Sequence, residues 1–412
     1  MSERENTTAR AEKLIRSPRH FPGFNGKWDR KELRPYLVQH SERVPADTDL
    51  RIYSSSREGL LPQDEYYGGH NRLNEGEYGV VPDGYFVYRH MSDDTTFKFN
   101  INNTGQPVAV SKEYPVFKTD GVDPIFLRYL LNESRPFKQF AAGQRKGGTR
   151  TRLYFKALCS WRAPLPGRFE QERIAECLAS VDALIEAEIE KLDALKDHKQ
   201  GLMQQLFPAE GESLPTLRFP EFSGHGLWSE TTLEAVIDLI SGLHLSPADY
   251  SESGAVPYFT GPSDFTHNVE QVTKWTDNTA NVANAGDILV TVKGSGVGEL
   301  WDLALREVSL GRQLMAVRTH ACETPFLFQF LQNRRSEFVA MASGNLIPGL
   351  SRSDILGMKL YLPQPEEQKA ISRCLSSVAL LISSQGSIVD GLKKHKQGLL
   401  QQLFPVLDEV DG

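Results

Sequence analysis

The residues able to do chemistry fall into a few short patterns. The densest is Gly143-Gln144-Arg145-Lys146-Gly147-Gly148-Thr149-Arg150-Thr151-Arg152, with four cations in eight residues. Glycines let a loop approach a backbone closely, and arginine forks onto guanine or phosphate. The run therefore reads as a nucleic-acid contact, or else as a solvated loop. A second candidate is the turn Lys293-Gly294-Ser295-Gly296-Val297-Gly298, which follows a strand-like run. It reads either as a DNA contact through Lys293 and Ser295 or as a nucleotide loop leading into a helix over 299–305. Its G-x-G-x-G spacing and the lack of an acidic residue about 20 positions on argue against the nucleotide. Nothing argues for catalysis: there is no HExxH pair, no G-x-x-x-x-G-K-[ST] loop and no Asn/Asp-Pro-Pro-Tyr/Phe motif. Asp123-Pro124-Ile125-Phe126 only echoes the last of these. Cys159, Cys177, Cys322 and Cys374 lie too far apart for a zinc or disulfide pattern, which suits a reduced cytoplasmic setting.

The positions of these patterns follow from a repeat. His198-Lys199-Gln200-Gly201-Leu202-Met203-Gln204-Gln205-Leu206-Phe207-Pro208 recurs as His395-Lys396-Gln397-Gly398-Leu399-Leu400-Gln401-Gln402-Leu403-Phe404-Pro405. Aligning Leu165–Pro208 with Leu362–Pro405 gives 24 identities in 44 positions without a gap. Each segment steps its apolar residues by four and three, Ile174, Leu178, Val181 and Ile185 in one and Ile371, Leu375, Val378 and Ile382 in the other. That is a coiled-coil seam. Glu188 and Gln385, and Lys199 and Lys396, break the seam at matching places, to fix register or to receive a third protein. Gly201 and Gly398 sit inside the helical pattern. An interior glycine costs about 1 kcal/mol against alanine, which fits a place where another backbone comes close. A run of 37 helical residues spans roughly 55 Å.

The start of each half also repeats. Phe21-Pro22 with Trp28 and Leu33 recurs as Phe219-Pro220 with Trp228 and Leu233, and both tryptophans read as packing. Between start and helix, an offset of 200 pairs Lys112 with Arg312 and Phe126-Leu127 with Phe326-Leu327. Strand-like Tyr85–Tyr88, Val108–Val110 and Pro115–Phe117 precede a helix from about Asp123. Asp287–Val292 and Gln313–Arg318 precede one from Thr324. Each half is a mixed module followed by a long helix. The charge is uneven. Residues 1–168 hold 27 Lys and Arg against 20 Asp and Glu, whereas residues 209–365 hold 10 against 18. The second-half counterpart of the basic run, Ser343-Gly344-Asn345 through Ser351-Arg352, is nearly uncharged, and would read DNA by Asn345, Ser351 or shape. No unbroken run of about 18 apolar residues predicts a membrane span, and residues 3–16 predict a short helix or a loose arm.

Two variable modules thus alternate with two near-identical helices. Each helix is entered by Leu-Pro and then Glu-Gln (Leu165-Pro166, Glu170-Gln171; Leu362-Pro363, Glu367-Gln368) and closed by the doubled motif. The chain resembles the specificity subunit of a type I restriction–modification system over nearly its whole length. Ala285-Gly286-Asp287-Ile288-Leu289-Val290 and the glycine turn after it add to the resemblance. The first module departs from it, with Asp83-Gly84-Tyr85 and Arg89-His90 in place of that turn. The resemblance implies an α+β chain of two globular mixed α/β target recognition domains separated by two long antiparallel coiled-coil helices, with pseudo-twofold internal duplication. The expected bounds are 1–164 and 209–361 for the recognition domains, 165–208 and 362–405 for the helices, and 406–412 for a tail. It implies that each domain reads one half of a split, asymmetric site in double-stranded DNA. Two methyltransferase subunits carrying S-adenosylmethionine would dock on the helices and methylate adenine. Restriction subunits using ATP and Mg would join for cleavage, and this chain would carry no cofactor of its own. The expected DNA contacts are Arg89, Lys112, Arg145, Lys146, Arg150, Arg152, Lys293, Ser295, Arg312, Asn345 and Arg352. The expected partner contacts are Lys199, Gln200, Gly201, Gln204, Lys396, Gln397, Gly398 and Gln401. A coiled-coil scaffold that does not touch DNA is the rival reading, with the nucleotide-binding enzyme behind it.

Overall fold

Of the apolar runs of the first half, Tyr85–Tyr88 and Pro115–Phe117 supply the central strands of a four-stranded sheet, whereas Val108–Val110 joins a separate three-stranded one. The computed structural model describes residues 21–26, 28–68, 76–145, 149–344 and 349–404. Asn345 and Lys146 lie outside the described residues, as does the arm expected over 3–16. Contacts divide the chain into two units, Met1–Glu188 with Ile388–Gly412, and Ile189–Ser387.

In the first unit, strands Leu37–His40, Val116–Thr119, Phe86–Tyr88 and Phe99–Ile101 form a four-stranded sheet in that spatial order. All its pairings are antiparallel. Helix α1 (Pro124–Glu133) begins where Asp123 caps it, its carboxylate accepting from Phe126 N at 2.9 Å. Such a cap is worth about 1 kcal/mol. Helix α2 (Arg135–Ala142) follows, capped by Ser134. Phe86, Phe99, Phe117, Phe126 and Phe137 fill the core and are all fully buried.

The second unit repeats the plan. Strands Ile237–Ser241, Leu314–Thr319, Ile288–Thr291 and Leu300–Asp302 form a sheet with the same order and the same antiparallel pairing. Helix α4 (Thr324–Asn333) matches α1, and α5 (Arg335–Gly344) matches α2. The helix expected over 299–305 is a strand instead. Val290 pairs with Leu300 and Ile288 with Asp302. So few residues cannot repay helix nucleation, while pairing with a buried strand satisfies their backbone directly. Trp28 and Trp228 pack edge-on against Phe126 and Phe326, at 6.0 and 6.2 Å.

The repeated segments form α3 (Arg168–Leu206) and α6 (Pro365–Leu403), 39 residues each. In the first unit the head of α3 (Ile174, Leu178) shares a core with the tail of α6 (Leu403, Phe404). In the second the head of α6 (Ile371, Leu375) shares one with the tail of α3 (Met203, Leu206, Phe207). Head beside tail is antiparallel pairing. The doubled Leu-Phe ending is an anchor: Phe404 lies 5.8 Å from Phe126, and Phe207 5.3 Å from Phe326.

The Glu-Gln pair at each helix entry is a clamp. Gln171 accepts from Asp123 N at 3.0 Å and donates to Pro166 O at 2.9 Å. Gln368 accepts from Glu323 N and donates to Pro363 O, both at 2.9 Å. Each glutamine thus fastens α1 or α4 to the turn that starts the long helix. Beside them, Glu170 accepts from Phe21 N, and the buried Glu367 takes both arms of Arg218 at 2.8 Å. The invariant spacing of Leu-Pro and Glu-Gln in the two copies is this joint.

Two expectations need correction. An ideal Cβ at Gly201 or Gly398 meets no heavy atom within 4 Å outside its own helix backbone, so among the described residues no other backbone comes close to either glycine. One 18-residue window of α6 is long and apolar enough to cross a membrane by length and composition, and 17% of it is buried. Serines interleaved with Leu, Ile and Val hide this from a search for unbroken apolar runs.

Candidate nucleic-acid interface

The basic run of the first module is laid against one edge by backbone pairing. Thr151 and Arg152 form a short antiparallel ladder with Ser92 and Met91, and Leu153 N donates to His90 O at 2.8 Å. This brings Arg152 and Arg150 beside Arg89, residues just over 60 positions apart in sequence. All three are exposed, and so is Arg145 just after α2. Arg150 Nε reaches Asp93 at 2.9 Å. An exposed pair of this kind is worth less than about 1 kcal/mol, so Arg150 can exchange Asp93 for a phosphate at little loss. His90 is buried beneath these cations. Burial pushes its imidazole below the ordinary value, with Arg152 and Arg89 lowering it further against a bond to the Glu113 carbonyl. Tyr154, more than half exposed, stacks on His90 at 5.7 Å. Lys112 is exposed next to Glu113, and its carbonyl accepts from Arg43.

The second module assembles its candidates from three turns. Val292 N donates to Gln313 O, and Leu350 N donates to Val292 O, both at 2.8 Å. Lys293, Ser295 and Arg312 therefore project from neighbouring turns, and all are exposed. The glycines serve packing: Gly298 has positive φ and a Cβ there would stand 3.5 Å from Phe338 Cβ, while one at Gly296 would stand 2.8 Å from Pro262. The turn leads into a strand, so it lacks the helix N-terminus that holds a nucleotide phosphate. Arg352 is engaged within the fold. Its Nη1 donates to Leu239 O at 2.7 Å and to Ser241 Oγ at 2.9 Å. Ser351 caps the short helix Arg352–Leu356 in a capping box with Asp354.

On the long helices, the matching glutamines Gln200, Gln204, Gln397 and Gln401 are exposed. Four-residue spacing puts each pair on one face, beside the open Gly201 or Gly398. The seam lysines are engaged within the chain, Lys199 with the second module and Lys396 with α3 and the first module. Lys199 reaches Gln332 at 3.1 Å, and burial pushes its ammonium down. Lys396 pairs with Asp182 at 2.6 Å and lies 5.5 Å over the Tyr129 ring. Tyr129 itself donates to Asp182 at 2.6 Å. Among the described residues no cluster of His, Cys, Asp and Glu could hold a metal ion.

Two features escaped the sequence reading. One is the stack of Phe265, Trp301 and His267 in the second module, with His267 4.4 Å from Trp301. The other is a polar hollow in the first module beside Arg89. Both join residues far apart in the chain, so neither leaves a local signal.

Residues 226–394 match the model of the type I restriction modification DNA specificity domain. A protein of Methanocaldococcus jannaschii assigned as the specificity subunit of the type I restriction enzyme MjaX is 24% identical over 289 residues, covering 69% of this chain and 68% of that one. The crystal structure of the S subunit of a type I restriction–modification system from M. genitalium superposes with a TM-score of 0.62 at 13% identity, over 95% of this chain and 100% of the other. A chain from a structure describing complex assembly and conformational transition of the type I R-M system does so with a TM-score of 0.58 at 21% identity, over 92% and 98%.

Proposed function

We propose that the chain is a specificity subunit of a type I restriction–modification system, and that it divides the task as follows. It is the DNA-specifying, non-catalytic member of its complex. The modules within 1–164 and 209–361 each read one half of a split site, and α3 and α6 set the unread spacer. The observation that carries this is one scaffold used twice with different exposed surfaces. The sheets share their order and the helices their sequence, while the first module presents Arg89, Arg145, Arg150 and Arg152 and the second Lys293, Ser295 and Arg312. A pair of reading heads that differ cannot favour a palindrome. Lys146 and Asn345, outside the described residues, stay candidate DNA contacts by their place in the sequence alone.

Two methyltransferase subunits dock on the exposed faces around Gln200, Gly201 and Gln204 and around Gln397, Gly398 and Gln401. They bring S-adenosylmethionine and methylate adenine, and restriction subunits bring ATP and Mg for cleavage. The apolar surface of α6 (Leu380, Leu381 and Ile388, all exposed) faces such partners rather than a bilayer. Its copy α3 carries Glu186, Glu190, Lys191 and Asp193 through the same stretch, which no bilayer would accept. The chain then works in the cytoplasm. In the acidic second module, phosphate contacts come mainly from the methyltransferase.

The test is a module exchange. Replacing residues 209–361 by the module of another specificity subunit, then mapping methylation across the host genome, should change one half-site and leave the other and the spacer. A change in both halves, or in neither, overturns the reading.

A further inference from the structure

The hollow beside Arg89 has the chemistry of a base-binding site. It encloses about 360 Å³, the lower end of the roughly 300–1,000 Å³ typical of ligand pockets. Its floor is polar. Ser54 and Ser55 are buried there, and Asn100 donates to Ser55 Oγ at 2.9 Å. One wall is the Tyr66 ring, 44% exposed and edge-on to Tyr67 at 4.9 Å. Tyr66 ends a single helical turn that Arg51 holds through Asp64 and Glu65. Tyr114 and Arg89 complete the lining. Among the described residues no carboxylate lies within ion-pair distance of Arg89. The rim also holds Asp93, the carboxylate that Arg150 grips, so the hollow opens on the same surface as the basic run.

Groove edges are read by side chains that protrude, whereas a hollow receives a group that leaves the duplex. The lining mixes the carboxylates of Glu58 and Asp93 with the cations Arg57, Arg89 and Lys98, and Arg57 is already paired with Asp94, so the hollow is not a dedicated phosphate cradle. Phenol faces, a guanidinium and serine hydroxyls suit a flat heterocycle with acceptors on its edge.

We propose that the hollow lined by Tyr66, Tyr114 and Arg89 is a nucleobase subsite that takes one base of the first module's half-site, displaced from its stack. The base lies against Tyr66 while Arg89 donates to its edge. This rests on the reading of the first module as a DNA reader.

The experiment uses the assembled complex and duplexes carrying the split site, the half read by the first module being the one that the module exchange leaves unchanged. Each base of that half is replaced in turn by an abasic residue, and affinity is read by fluorescence anisotropy. One position should lose about tenfold on removal of its base, the size of one base–aromatic contact. With Arg89→Ala or Tyr66→Ala, that position should become indifferent to its base while the others keep their dependence. Both side chains are exposed, and unchanged melting of the variants confirms that they fold. Equal weakening on every duplex, or an unchanged abasic profile, overturns the subsite. The underlying reading fails separately, if Arg150→Ala with Arg152→Ala leaves affinity for the intact site unchanged.

Discussion

At the scale of single residues, the interface cations stand over a histidine that the fold keeps neutral. His90 is buried, and its value lies below the ordinary 6.5. The unfolded chain therefore binds a proton that the folded one resists. The stability His90 contributes is intact above about pH 6.5 and is lost as pH falls toward the lower folded value. His90→Asn should flatten the acid side of a melting-temperature profile between pH 7 and pH 5. A profile parallel to that of the unaltered protein would show that His90 does not titrate there. The sequence marked His90 only as the neighbour of Arg89. Its burial comes from the ladder between 91–92 and 151–152 and from Tyr154 stacked above it, contacts that join distant segments.

At the scale of elements, the two long helices carry both the joint and the open face. Glu367 is buried with a bidentate Arg218. Removing one partner of such a pair strands a charge, so Arg218→Met should cost about 3–5 kcal/mol by denaturant unfolding. Adding Glu367→Gln should recover much of it, and additive losses would show that the two do not act as a pair. Gly201 and Gly398 make the opposite case. Both are helical, and open space surrounds the place of a Cβ. Gly398→Ala should stabilise the chain by about 1 kcal/mol. It should also weaken capture of the methyltransferase if that subunit's backbone lies on the glycine. A loss of stability would mean that the site is crowded after all. The heptads, the doubled ending and the Glu-Gln entry were legible because helices express a local period and a copied sequence exposes it. The purpose of the glutamine was not, since its partner Asp123 N or Glu323 N lies some 45 residues away.

At the scale of the molecule, charge divides the labour. Residues 1–168 are basic and residues 209–365 acidic. Removing one cation that neutralises a phosphate lowers the dependence of log affinity on log salt by nearly one unit. Arg145→Ala and Arg150→Ala in the first module should each flatten the salt dependence of the complex on its site. Lys293→Ala in the second should change it less if, as proposed, phosphate contacts there come from the partner. A larger flattening from Lys293 would reverse that assignment.

The sequence by itself determined the duplication, the two long helices, the central strands of the two matching sheets and the family resemblance, since all rest on local period or on identity between copies; Val256–Phe259 and Glu307–Leu310, central in a further sheet, went unread. The tertiary structure decided what covers what. It set the tail of each helix in a core with the head of the other, as Phe404 on Phe126 and Phe207 on Phe326. It turned Leu300–Asp302 into a strand, engaged Arg352 in tying its helix to Ser241, and brought Arg89, Tyr66 and Tyr114 around one hollow. Those outcomes depend on contacts between residues distant in the chain, and neither composition nor spacing records which distant residue will be the neighbour.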